Sequence, residues 1–250
     1  MRRASRLALC ALALSGCGSS SSSTTPSAAS SVSVRFAEGA PELETLIGGV
    51  PSSIGSAYLQ VDGKTVASVF NYGTFTSFLA LAAGAHSLVA RDLEGYAVGP
   101  IPIPALTGGD RYTLILVGSY PNYSVLAFPE PASAGGAQLS LYEASPTVPT
   151  SDFGTFKASS RSDFKQLGTA KLGQVVTVSL GSTVSDVGGY VGTAPCTKPP
   201  ARANCLKPVQ VNAFDTHNVL PFHAAHRFSL FLFDLNSGVT FGPLFGSLDQ

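Results

Sequence analysis

The sequence predicts an all-β fold, organised as two tandem immunoglobulin-like β-sandwich domains, and three observations carry that expectation. Apolar residues fall in short alternating runs rich in Val, Leu, Phe and Tyr. Gly and Pro, 26 and 17 of 250 residues, punctuate those runs, as turns do between strands. The pattern then occurs twice along the chain.

The first element is a leader, residues 1–16. Arg2, Arg3 and Arg6 form a positive region, Leu7 to Leu14 a short apolar one, and Leu14-Ser15-Gly16-Cys17 closes it with small residues before a cysteine. The apolar run is too short to span a bilayer as a helix. This arrangement resembles the lipobox of bacterial lipoproteins. The resemblance implies cleavage before Cys17, a diacylglyceryl group on its thiol and acylation of the new amino group. Each buried methylene of such an anchor adds about 0.8 kcal/mol, so several chains together hold firmly. The expected partner is therefore a membrane, met through the lipid, and the expected location is the cell envelope. Gly18, next to the anchor, favours the outer over the inner membrane. Residues 17–31 continue as a Ser-rich low-complexity stretch that has no apolar area to bury and reads as a flexible tether.

The first domain is expected over residues 32–128. Ala57–Val61 and Thr65–Phe70 flank Asp62-Gly63-Lys64, and Asp-Gly between alternating strands is a strong hairpin signal. Phe75–Leu81 and His86–Arg91 read as the next strands. Val98–Pro104 carries a proline at every second position from Pro100, which suits a sheet edge. Residues 129–136 read as a linker and 137–250 as a second, divergent domain. Val32–Pro41 lies over Ala137–Pro146, both being alternating strands that end in Glu-small-small-Pro. Tyr72-Gly73-Thr74 aligns with Leu167-Gly168-Thr169, and Arg111–Val117 with Arg227–Phe233. Three landmarks in one order make a repeat. The larger second copy places an insertion near Thr193–Pro208.

Ser56–Phe70, Tyr72-Gly73-Thr74, Leu81-Ala-Ala-Gly-Ala-His-Ser-Leu88 and Tyr112-Thr-Leu-Ile-Leu-Val-Gly118 resemble the bacterial domain-of-unknown-function family DUF4397. The resemblance covers residues 32–128, and 137–247 only through the repeat. It implies an immunoglobulin-like domain, often in tandem on exported or lipid-anchored proteins, with no established catalytic residues.

Acidic and basic residues balance at 15 each and charged residues are 12% of the chain, about half the usual ~25%. Nucleic acid is therefore not an expected partner. The absence of tryptophan removes the indole platforms common in carbohydrate-binding β-modules, though Tyr and Phe can replace them. Cys10 leaves with the leader and Cys17 takes the lipid, so Cys196 and Cys205 remain. In an exported protein two such thiols are expected to form a disulfide, here pinning the Pro-rich loop Thr197–Asn204. Free thiols or metal ligation are the alternatives.

Asp215, His217, His223 and His226 are the one cluster with metal-ligand chemistry. Their spacing matches no recognised zinc pattern, and polar loop residues are the plainer reading. A Gly-x-Ser-x-Gly elbow is missing. Glu38 and Glu143 are repeat-equivalent and read as strand-end polar residues. The expectation is a protein that is not an enzyme and needs no cofactor: a structural or binding module contacting an envelope protein or glycan. The competing expectation is a metal-handling protein using the histidine cluster.

Overall fold

Alternation in the sequence becomes strands in four sheets. The computed structural model describes residues 30–40, 43, 57–91, 97–119, 121–132, 138–147, 150–157, 160–179, 186–191, 227–233 and 244–249. Apart from Leu43, whose backbone is helical, these residues form strands and the turns and short segments that join them. The strands are β1 (Ser31–Glu38), β2 (Ala57–Val61), β3 (Lys64–Phe70), β4 (Leu79–Ala82), β5 (Gly84–Arg91), β6 (Ala97–Leu106), β7 (Arg111–Ser119) and β8 (Asn122–Pro129). They continue with β9 (Gln138–Glu143), β10 (Thr150–Lys157), β11 (Ser160–Lys171), β12 (Val175–Ser179), β13 (Asp186–Val191), β14 (Arg227–Leu232) and β15 (Leu244–Asp249).

Sheet I runs β3-β2-β5-β6, sheet II β4-β1-β7-β8, sheet III β12-β9-β14-β15 and sheet IV β11-β10-β13. The Asp-Gly signal reads correctly. Asp62 and Gly63 form the two-residue turn between β2 and β3, at φ 49° and 78°, as a type I′ hairpin turn needs. The proline-rich strand lies where expected, as β6 on the edge of sheet I. The expected strand Phe75–Leu81 is shorter than its apolar run: β4 begins at Leu79, and Phe75 makes only an isolated bridge to Ala37.

The repeat is visible in the sheets. In sheet II, β1 pairs in parallel with β7 and antiparallel with β4; in sheet III, β9 does the same with β14 and β12. The registers coincide. Ser33 faces Arg111 and Glu38 faces Leu116, while Gln138 faces Arg227 and Glu143 faces Leu232.

Sheets I and II enclose one core. Val32, Val34 and Phe36 from β1 and Leu114 and Leu116 from β7 meet Leu59, Phe70, Leu88 and Ile101 from sheet I. The middle of the other face of sheet II is buried too. Ala37, Ile115, Val117 and Phe128 pack against Tyr142, Ala144, Phe231 and Phe233 of the second repeat in a further core. The central strands β1 and β7 are therefore covered on both sides along their middles, as strands of parallel pairing usually are, and the unbroken buried run Thr113-Leu-Ile-Leu-Val117 is the signature. Sheet III turns its other face, bearing Leu139, Leu141, Leu230 and Leu232, to the side where β10 and β11 pack.

Candidate functional site

The second core ends in a buried polar cluster. Arg35 lies on the opposite face of β1 from Val34 and Phe36, by strand alternation, and so points toward the second repeat. Its Nε donates to Thr113 Oγ1 at 2.7 Å, and its Nη2 lies 3.2 Å from Glu130 Oε1. Thr113 donates its own hydroxyl proton to the same Glu130 oxygen. The second Glu130 oxygen accepts the Tyr142 hydroxyl at 3.1 Å. The Arg35 and Glu130 side chains are 6% and 7% exposed. Three rings surround the guanidinium, with Phe78 at 5.0 Å, Phe231 at 5.6 Å and Phe75 at 5.7 Å from ring centre to Cζ. Cation–π attraction of this kind strengthens as water is excluded. Arg111, exposed at the rim, stacks on Phe78 at 3.5 Å.

Aromatic packing continues from this cluster into the core. Tyr142 stacks on Phe231 with centroids 4.3 Å apart, and Phe128 meets Tyr142 edge-on at 5.5 Å. Phe75 lies 4.8 Å from Phe231. Tyr142 and Phe231 belong to the second repeat and Arg35, Thr113 and Glu130 to the rest, so the cluster ties sheet II to sheet III. Sequence reasoning missed it and placed Glu130 in the linker.

A second constellation is duplicated. Glu38 and Glu143 end β1 and β9 as expected, but both are completely buried. Each carboxylate accepts the backbone N–H two residues on, from Ala40 at 2.7 Å and from Ser145 at 3.1 Å. Each backbone grips a distant turn. Gly73 N–H donates to Glu38 O at 2.8 Å and Gly173 N–H to Glu143 O at 2.9 Å; the Glu38 and Glu143 N–H groups donate to Thr74 O and Gln174 O. This explains the Glu-small-small-Pro landmark. It also corrects the alignment: the partner of Tyr72-Gly73-Thr74 is Leu172-Gly173-Gln174, not Leu167-Gly168-Thr169. Gly73 and Gly173 adopt φ of 75° and 79°, which side-chain-bearing residues rarely take. Gly168 has another purpose: a Cβ there would lie 2.6 Å from the Phe153 ring.

A third constellation lies at the β2–β3 turn. His86 Nδ1 is 2.6 Å from Asp62 Oδ2, and its Nε2 is 2.8 Å from Ala82 O. Asp62 Oδ1 accepts Ser87 N–H at 2.9 Å. The Asp62 hydrogen bond raises His86 above its usual value and, reciprocally, lowers Asp62. Asp, His and Ser thus meet, but not as a nucleophilic triad. The serine donates to the aspartate, and the second ring nitrogen is held by a carbonyl rather than facing a hydroxyl.

Cys17, Cys196, Cys205, Asp215, His217, His223 and His226 all lie outside the described residues. Among the described residues, no three His, Cys, Asp or Glu side chains are grouped as a metal site requires.

Fold and clusters together define the class: an all-β protein built on a duplicated strand motif, whose polar side chains join its layers. Residues 45–154, from before β2 into β10, match the model of the family described as Domain of unknown function (DUF4397), in agreement with the resemblance seen in the sequence. None of the curated proteins matches the chain.

Proposed function

We propose that this protein is a non-catalytic, lipid-anchored module of the cell envelope, a pair of immunoglobulin-like sandwiches whose loops or strand edges contact an envelope protein or glycan. One observation carries the non-catalytic part: the described polar constellations are engaged internally. Both nitrogens of His86 are turned to acceptors within the fold, Asp62 and the Ala82 carbonyl, rather than to an open site. The Arg35–Glu130 pair is buried beneath aromatic rings, the Glu38 and Glu143 carboxylates each accept a backbone N–H, and Glu143 also accepts the Ser151 hydroxyl. The family match supports the module reading without supplying an activity.

The anchor rests on the leader and Cys17. Mass spectrometry of the mature N-terminus from a membrane extract is expected to find a diacylglyceryl-modified Cys17, in outer-membrane fractions. Cys17→Ser is expected to lose the lipid. An unmodified mature terminus at another residue would refute the anchor. The Cys196–Cys205 bridge is checked separately by a thiol count on denatured, unreduced protein. No titratable thiol is expected, and the chain-entropy model assigns such a loop roughly 2.5–3 kcal/mol; two thiols would refute it.

A further inference from the structure

We infer that His86 is a proton-operated clasp securing the end of the first sheet pair at which β1 begins, closed in mildly acidic surroundings and released as the surroundings become alkaline. The geometry fixes the protonation state that closes it. A carboxylate oxygen and a backbone carbonyl can only accept hydrogen bonds, and they lie 2.6 Å and 2.8 Å from the two ring nitrogens. Both nitrogens must therefore donate, which only the imidazolium does. A neutral ring leaves one of these acceptors unserved.

What the clasp joins is set by the topology. Asp62 belongs to the hairpin tip of sheet I, and its backbone N–H donates to Ser87 O at 3.0 Å, clamping the tip onto β5. Ala82 ends β4 in sheet II, just before the corner where the chain crosses to β5 in sheet I. The same corner holds the start of β1. Ala82 pairs with Ser31, and Ala83 N–H donates to Ser30 O at 2.7 Å. The ring thus ties the hairpin to the corner, and the corner holds the start of β1.

Among the described residues, the ring's ion pair is with Asp62. Asp62 is the ionised group in contact with the ring, and Lys64 follows it on the hairpin. On β6, His86 is opposite the neutral Ile103. In the adjoining turn before β7, Asp110 accepts the Tyr112 hydroxyl. The sign is definite. His86 titrates above its ordinary 6.5, so its contribution is whole below that value and is lost as pH rises through the raised one. Asp62 titrates below its ordinary 3.8 and keeps its charge throughout this range.

The test is hydrogen exchange with ring-resonance titration on the full chain, corrected for the intrinsic pH dependence of exchange. Between about pH 5.5 and about pH 8.5, protection of the Ala83 and Ser87 amides is expected to fall about tenfold, the scale of one lost charged hydrogen bond. In His86→Gln the corrected protection is expected to stay flat. The ring resonance absent from that variant identifies His86, and its midpoint is expected above 6.5. Should His86→Gln fail to fold, Asp62→Asn keeps the shape and is expected to bring the midpoint down. A midpoint at or below 6.5, or protection that does not change across the titration in the natural chain, overturns the clasp.

Discussion

Glu130→Ala is expected to destabilise the full chain by about 3–5 kcal/mol, the range for breaking one partner out of a buried ion pair. For a chain of this size that is a fall in Tm of roughly 6–20 °C. The cause is the charge left behind. Arg35 is almost fully buried, and without Glu130 its guanidinium loses one buried, charge-assisted hydrogen bond. The Tyr142 hydroxyl loses its bond to Glu130 at the same time. Replacing both partners together, as Arg35→Met with Glu130→Leu, is expected to cost far less, since apolar residues of similar volume carry no desolvation penalty. Urea unfolding of the three chains measures this directly. A Glu130→Ala chain within about 1 kcal/mol of the natural one would show the pair to be a solvated surface contact.

Why this cluster was not legible follows from distance along the chain. Thr113 and Glu130 lie 78 and 95 residues from Arg35, and nothing local in Ser-Val-Arg-Phe announces them. Alternation places Val34 and Phe36 on one face of β1 and Arg35 on the other. For a lone sandwich that other face meets water, and an arginine there is unremarked. Here a second sheet covers it, and the same residue becomes the cation of a buried pair. What was legible is local: the Asp62-Gly63 turn, the prolines of β6 and the Glu-small-small-Pro ends of β1 and β9. Glycines are ambiguous for the same reason. Gly168 and Gly173 stand five residues apart, one making room for the Phe153 ring and the other taking a left-handed turn. Only the fold tells which is the counterpart of Gly73. From the sequence His86 is simply a strand residue, because its partner carboxylate arrives from a different hairpin.

The largest effect outside the ion pair is expected at the contact between the repeats, where the two copies have diverged in size. Corresponding register positions on facing strands are Ala37, Ile115, Val117 and Gly39 in the first copy and Tyr142, Phe231, Phe233 and Ala144 in the second. The first copy presents mostly small or aliphatic residues and the second presents rings, so the two faces fill each other in a way that two identical faces would not. Phe233→Ala removes a ring with no solvent exposure and is expected to cost about 3–5 kcal/mol. Gly39→Ala acts from the other side. Its new Cβ would lie 2.8 Å from Phe233 Cδ1, 3.0 Å from Leu116 O and 3.1 Å from Ile115 Cγ2, an overpacking worth about 1–3 kcal/mol. In the double variant the ring is gone and the methyl group meets space instead, so the two costs are expected to sum to less than their separate values by about 1 kcal/mol or more. The Leu116 carbonyl is backbone and cannot retreat, which leaves a residual cost in every background. Equilibrium unfolding of the four chains in the cycle decides it. Strict additivity would mean that Gly39 and Phe233 do not touch in solution and that the two repeats do not share this core.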